Sequence, residues 1–274
     1  MRFRRLFALA LTVTVSIYTL ALAQDRPEAA AKLREEPARY IEDNHLFFNS
    51  YYEYSAVKQG GRKGQWRLFT NTVGYSFANG FVPYLEVDSW DRFHNNDQLF
   101  NLGAYLKFKD FSYFHSEIGF GNDLTYLPRF RFLQEYEHKL SGGLSWQAGF
   151  KYLHYPVNDV YLAYPGLIYY FGDNYLSAFY NIGFTESRGA ASSALFKGSV
   201  ALNKFIDFWF GGAVGDRLYD IDLLKSSKQY GYIMFAGIDF KVYKDLRLRL
   251  GYSYGMEKPA FITRSIDYGL SIKF

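Results

Sequence analysis

A chain of 274 residues with 49% hydrophobic residues, a formal charge of +4 and a mean hydropathy of −0.19 is neither a disordered segment nor a bundle of membrane helices. Phe, Tyr and Trp number 27, 26 and 4 against 7 prolines and 24 glycines, a balance that favours strands over helices. The absence of cysteine excludes a disulfide framework, thiolate catalysis, a zinc–cysteine centre and acylation of a lipobox cysteine. Arg2, Arg4 and Arg5 account for most of the positive excess, so the body of the chain is close to neutral and gives no sign of a nucleic-acid partner.

Residues 1–23 join that basic start to an apolar run over 6–22 and the small-x-small site Ala21-Leu22-Ala23. They read as a cleaved secretory signal peptide; an uncleaved anchor is the competing reading, disfavoured by the acidic stretch that follows. Residues 24–45 are expected to form a polar periplasmic leader, mixing Asp25, Glu28, Glu35 and Glu36 with Arg26, Lys32 and Arg34 and holding Ala29 to Ala31 between Pro27 and Pro37. The main domain is placed at 46–274. It holds no uninterrupted apolar run of roughly 18 residues, so any membrane crossing there is not helical.

From Leu46 onward, segments with period-two alternation recur between clusters of Gly, Asn, Asp or Lys. Phe100, Leu102, Ala104 and Leu106 share one face, while Asn101, Gly103, Tyr105 and Lys107 share the other. Leu144, Trp146, Ala148 and Phe150 alternate with Ser145, Gln147, Gly149 and Lys151. Leu246, Leu248, Leu250, Tyr252 and Tyr254 alternate with Arg247, Arg249, Gly251 and Ser253. One face is continuously apolar with aromatics toward the strand ends, which suits a surface facing lipid between two interfacial girdles.

Connections alternate in length. Tight turns are predicted at 78–80, 109–111, 172–174, 203–205 and 243–245, and longer loops at 58–65, 94–97, 121–127, 156–159, 186–191, 216–228 and 257–262. The pattern predicts an all-β, transmembrane antiparallel outer-membrane barrel of about 14 strands. Twelve to sixteen strands stay open, because Pro165-Gly166 interrupts one segment and residues 66–77 are weakly patterned. The last nine residues alternate up to a terminal aromatic, with Tyr268, Leu270, Ile272 and Phe274 on one face. They look like the closing strand that the barrel-assembly machinery reads.

Several stretches resemble the YaiO-type outer-membrane barrels: Tyr164-Pro165-Gly166-Leu167-Ile168-Tyr169-Tyr170-Phe171-Gly172, then Tyr175-Leu176-Ser177, residues 208–215 and the closing strand. The resemblance covers most of 47–274. It implies an envelope barrel in the bacterial outer membrane, connected with surface polysaccharide, and it carries no catalytic motif.

Two sets of residues on the polar face are candidate sites. Arg247, Arg249, Lys241, Asp239, Asp267 and Lys273 form a charge cluster that would set ion or sugar-acid preference, or else cross-strand ion pairs that neutralise buried charge. Tyr51, Tyr105, Tyr113 and Phe179, interleaved with Asn49, Asn101, Asn181 and Gln147, offer rings beside amides that suit sugars; the competing reading is packing of rings over Gly103, Gly119 or Gly149. Barrel enzymes are the rival class. His115 and Glu117 share one face as a base and its orienter, but no nucleophile accompanies them. Asp216, Asp220 and Asp222 could hold calcium, though their spacing departs from known calcium loops. No cofactor or metal is expected.

The resulting expectation is a passive conduit, for surface polysaccharide or oligosaccharide, selecting by lumen width, charge and aromatic lining. A lipid-modifying enzyme or a structural, adhesive surface barrel is the alternative. Expected partners are outer-membrane lipid, the barrel-assembly machinery and separate polysaccharide synthesis or export proteins.

Overall fold

The computed structural model describes residues 44–274 apart from 60, 93–94, 109–111, 122–124, 157, 186–188, 218–228 and 258–260. The signal peptide and almost all of the leader lie outside the described residues. Fourteen strands follow one another: β1 (His45–Gln59), β2 (Arg62–Ser76), β3 (Phe81–Arg92), β4 (Asn95–Phe108), β5 (Ser112–Phe120), β6 (Phe130–Lys139), β7 (Leu144–Tyr155), β8 (Asn158–Phe171), β9 (Asn174–Thr185), β10 (Gly189–Asn203), β11 (Ile206–Arg217), β12 (Gln229–Tyr243), β13 (Leu246–Glu257) and β14 (Phe261–Lys273). Each pairs antiparallel with its neighbours in sequence, and β14 pairs with β1 from Phe47↔Lys273 to Gln59↔Phe261, so the sheet closes on itself. Closure leaves no unpaired edge, the condition a sheet must meet to cross a membrane.

Alternation sorts the side chains into two environments. Outward lie exposed apolar residues such as Leu85, Phe100, Leu102, Leu167, Met234, Leu248 and Ile266. Aromatics flank that band, with Tyr75, Phe77, Phe171, Phe205 and Tyr243 near the tight-turn end and Phe120, Tyr161 and Tyr230 near the other. Tyr268, Leu270, Ile272 and Phe274 share this outward face, and the Phe274 amide donates to Leu46 O at 2.9 Å, tying the closing strand to the first.

Two expectations about connections are corrected. Pro165-Gly166 does not break its segment: β8 pairs with β7 throughout, including Ala148↔Pro165 and Gln147↔Gly166, while its ladder to β9 skips Tyr164 and Pro165. A proline has no N–H to donate, and a one-sided gap accommodates it. The loops expected at 58–65 and 94–97 are largely strand and those at 156–159, 186–191 and 257–262 are strand at half of their positions, so only 121–129 and 218–228 separate their strands by more than a few residues. Strands such as β1 and β2 have 15 residues. At about 3.3 Å per residue and roughly 40° of tilt they rise about 35–40 Å, well beyond an apolar band about 25 Å tall. The apolar pattern stops at the band while the hydrogen-bond ladder continues above it.

Inside, rings lie on glycines. A Cβ at Gly103 would collide with the Tyr84 ring, one at Gly149 would meet Tyr164 Cζ at 2.5 Å, and one at Gly166 would enter the Phe179 ring; Gly119 is covered by the Asn101 side chain. Gly103→Ala should therefore destabilise the barrel by about 1–3 kcal/mol, because Tyr84 is held at its hydroxyl and cannot swing aside. The urea midpoint of the heat-modifiable folded band measures this. An unchanged midpoint would mean that the ring is free to move.

Candidate functional site

The lumen has two unlike walls. On β3–β6 the inward residues at every second position are Tyr84, Glu86 and Asp88; Asn101 and Tyr105; His115 and Glu117; and Arg131, Glu135 and Glu137. All are buried, and most of them are joined to one another by hydrogen bonds or ion pairs. Arg131 lies 2.5 Å from Glu117, 3.5 Å from Glu86 and 3.9 Å from Asp88, one guanidinium among three carboxylates. Asn101 donates to Asp88 at 2.8 Å and Glu86 at 3.2 Å, while Thr70 donates to Asp88 and Thr72 to Glu86 from the next strand. The antiparallel register makes this meeting possible, since Thr72↔Glu86 and Glu86↔Asn101 are direct cross-strand partners.

Below this group the Tyr84 hydroxyl donates to Glu117 at 2.6 Å and lies 2.7 Å from His115 Nε2, and His115 Nδ1 is 3.0 Å from Glu135. Tyr105 stacks on the His115 ring at 4.0 Å and 7°, with Tyr113 edge-on beyond it. The expected His115–Glu117 pairing is corrected. Tyr84 stands between the two, and the carboxylate that orients the ring is Glu135, from the next strand.

The facing side, on β7–β12, carries the large apolar cluster, interspersed with buried Gln147, Lys151, Asn181 and Lys197. Leu153, Val160, Leu162, Tyr164, Ile168, Phe179, Leu195, Trp209, Ile233 and Phe235 belong to a single buried cluster. Tyr164 meets Phe179 edge-on at 5.8 Å, and Trp209 meets Phe235 at 6.2 Å. Gln147, at 0% exposure, stands beside Gly166 and thus next to the Phe179 ring, and its amide has no hydrogen-bond partner among the described residues.

At the end opposite the chain termini a short segment turns inward. The Asp97 carboxylate on β4 accepts the backbone N–H groups of Thr125, Tyr126 and Leu127 at 2.9, 2.5 and 2.9 Å. That places Leu127 in a buried cluster with Tyr51, Leu68, Trp90 and Leu99, all inward residues of β1–β4. Just above, the Arg92 guanidinium lies over the rings of Trp90 and Trp66 at 3.9 and 4.2 Å. One side of the mouth is narrowed by these groups.

The residues of the two candidate lumen sets face inward. Arg249 forms a two-pronged pair with Asp239, at 2.7 and 2.9 Å, and lies over Trp209 at 4.8 Å. Lys241 pairs at 2.7 Å with Asp207, an acid that the sequence reading did not include. Arg247 faces Lys241 across the ladder, Asp267 packs against Gly251, and Lys273 sits at the end of β14 opposite Phe47. The expected cluster is thus a set of local pairs.

Its aromatic and amide counterpart is divided between the walls. Tyr105, Tyr113 and Asn101 belong to the ionic wall and Phe179 to the apolar one. Tyr51 donates to Glu53, and Asn181 donates to Ser193. Asp216 is the penultimate residue of β11, and residues 220 and 222 of the acidic loop lie outside the described residues. The network of Glu86, Asp88, Arg131 and Glu135 was missed, although Tyr84-x-Glu86-x-Asp88 is itself a period-two signal.

A closed antiparallel sheet with an apolar exterior and an ionic interior defines a membrane β-barrel of the outer-membrane type. A family model described as the YaiO membrane β-barrel domain matches residues 42–199, more than half of the chain, and the protein belongs to that family. Residues 208–215 and the closing strand lie beyond the match. No curated protein matches the chain. Among solved structures, the CymD monoaromatic hydrocarbon channel is 7% identical with a TM-score of 0.59, over 95% of this chain and 94% of that one. A bacterial polysaccharide outer membrane secretin is 6% identical with a TM-score of 0.60, over 84% of this chain and 98% of that one. At such identities the likeness is one of fold.

Proposed function

We propose that the protein is a narrow, selective conduit of the bacterial outer membrane for saccharide, serving surface polysaccharide or oligosaccharide export. The observation that carries this reading is the two-sided lumen: carboxylates, amides and a guanidinium dominate β3–β6, while an aromatic and aliphatic cluster with a few buried polar groups among it occupies β7–β12. A sugar ring has the same two characters, a rim of hydroxyls and an apolar face. The unpartnered Gln147 amide beside the Phe179 ring repeats that pairing on a smaller scale. One neighbour in fold is a polysaccharide secretin and another a hydrocarbon channel, so fold alone does not select the cargo.

Selection would rest on charge and on the close approach of the walls. The test is single-channel conductance of the folded protein in planar bilayers, with neutral and acidic oligosaccharides added. Discrete conductance that oligosaccharides block supports the conduit; silence from a folded barrel overturns it. Replacing Arg247 and Arg249 by Ser frees Asp239 in the lumen and should shift reversal potentials toward cations by an amount measurable in a salt gradient. An unchanged reversal potential would remove this cluster from the permeation path.

A further inference from the structure

We propose that the outward face of β14–β1–β2, at the end opposite the chain termini, binds the phosphorylated headgroup of an outer-leaflet glycolipid of the lipid A type. A groove of 780 Å³ lies there, lined by Lys58, Lys63, Arg67 and Arg264 with Tyr54, Ala56 and Ile262 among them. These residues continue the outward parity of the lipid-facing Tyr52, Phe69 and Tyr268, but two to six residues further along each strand. They stand where the ladder has overrun the apolar band, at headgroup depth. This end carries the two long connections, which marks it as the extracellular one.

The register is the telling feature. Lys58 and Lys63 are direct cross-strand partners, and like charges placed opposite one another are destabilising unless something anionic joins them. Among the described residues neither lysine has an acidic partner. Asp91 is the one acid lining the groove, and it serves Arg67 at 3.7 Å, with both side chains largely exposed. Arg264, opposite Ala56 on the other side of β1, lies 5.9 Å from the Tyr254 ring. Four cations around one acid leave a positive hollow, and the lipid-facing Tyr52, Phe69 and Tyr268 adjoin it on the membrane side. An acyl-chain glycolipid bearing phosphates matches both halves, and free phosphate matches only the first.

Native mass spectrometry of the purified full chain in detergent tests this with bis-phosphorylated lipid A, the same lipid with its phosphates removed, and inorganic phosphate. The phosphorylated lipid should bind, and Lys58→Gln with Lys63→Gln should weaken it roughly 25-fold, about five-fold for each cation. Lys204→Gln with Lys244→Gln, in turns at the opposite end, should bind as the parent does. Equal binding of the dephosphorylated lipid overturns the proposal without any variant and so holds even if the lysine variant fails to fold. Displacement by inorganic phosphate, or equal loss in the opposite-end variant, overturns it as well. None of these outcomes depends on whether the lumen conducts.

Discussion

Replacing Arg131 by Met is expected to cost about 3–5 kcal/mol of folding stability, the range for removing one partner from a buried ion cluster. The guanidinium is the positive charge shared by Glu86, Asp88 and Glu117, all of them buried, and the neutral donors Asn101, Thr70 and Thr72 cannot replace it. Methionine fills much of the same space and removes the charge, which leaves three carboxylates close together without the guanidinium they share. The readout is the urea midpoint of the heat-modifiable folded species. Adding Glu117→Gln should return part of the loss, since the shortest ion contact is the one that has lost its partner. A midpoint within about 0.5 kcal/mol of the parent would show that water solvates the wall and that Arg131 is not its counter-charge.

Asp97→Ala should raise conductance roughly two-fold or more by releasing the inward segment at the mouth. One carboxylate holds three consecutive backbone N–H groups and thereby seats Leu127 among Tyr51, Leu68, Trp90 and Leu99. Without the acceptor those donors need water, which is found toward the mouth, so the segment should leave the wall. Stability should fall by about 1–3 kcal/mol for the lost buried contacts. Asp97→Asn retains one oxygen and should lie between alanine and the parent. Single-channel recording of all three proteins measures the effect, and identical conductance across the series would mean that Leu127 does not limit passage.

How much of this was legible beforehand differs from element to element. Leu102 and Leu248 outward, with Asn101 and Arg249 inward, follow from alternation alone, because period two leaves a strand no other choice once one face must meet lipid. The strand count followed from the same alternation, even with a proline in β8. Loop lengths did not, because the hydrophobic pattern marks the height of the apolar band and strands of 15 residues exceed it. That excess is what carries Lys58, Lys63 and Arg67 onto paired strand.

The candidate sites were half legible. Parity assigned Arg249, Asp239, Tyr105 and Phe179 to the interior, and the structure puts them there. Parity says nothing about which inward residues meet across strands, so Lys241 was grouped with Arg247 when its partner is Asp207, and His115 was joined to Glu117 when Glu135 orients its ring.

The sequence by itself determined that this chain is a membrane β-barrel, because alternation, aromatic placement and turn residues are local properties that each strand carries; the YaiO type was read from the resemblance of stretches such as 164–172. Only the tertiary structure decided what the lumen is. The stagger between neighbouring strands sets which inward side chains share a level, and that relation gathered Glu86, Asp88, Glu117 and Arg131 on one wall, Tyr164, Phe179 and Trp209 on the other, and Leu127 at the mouth.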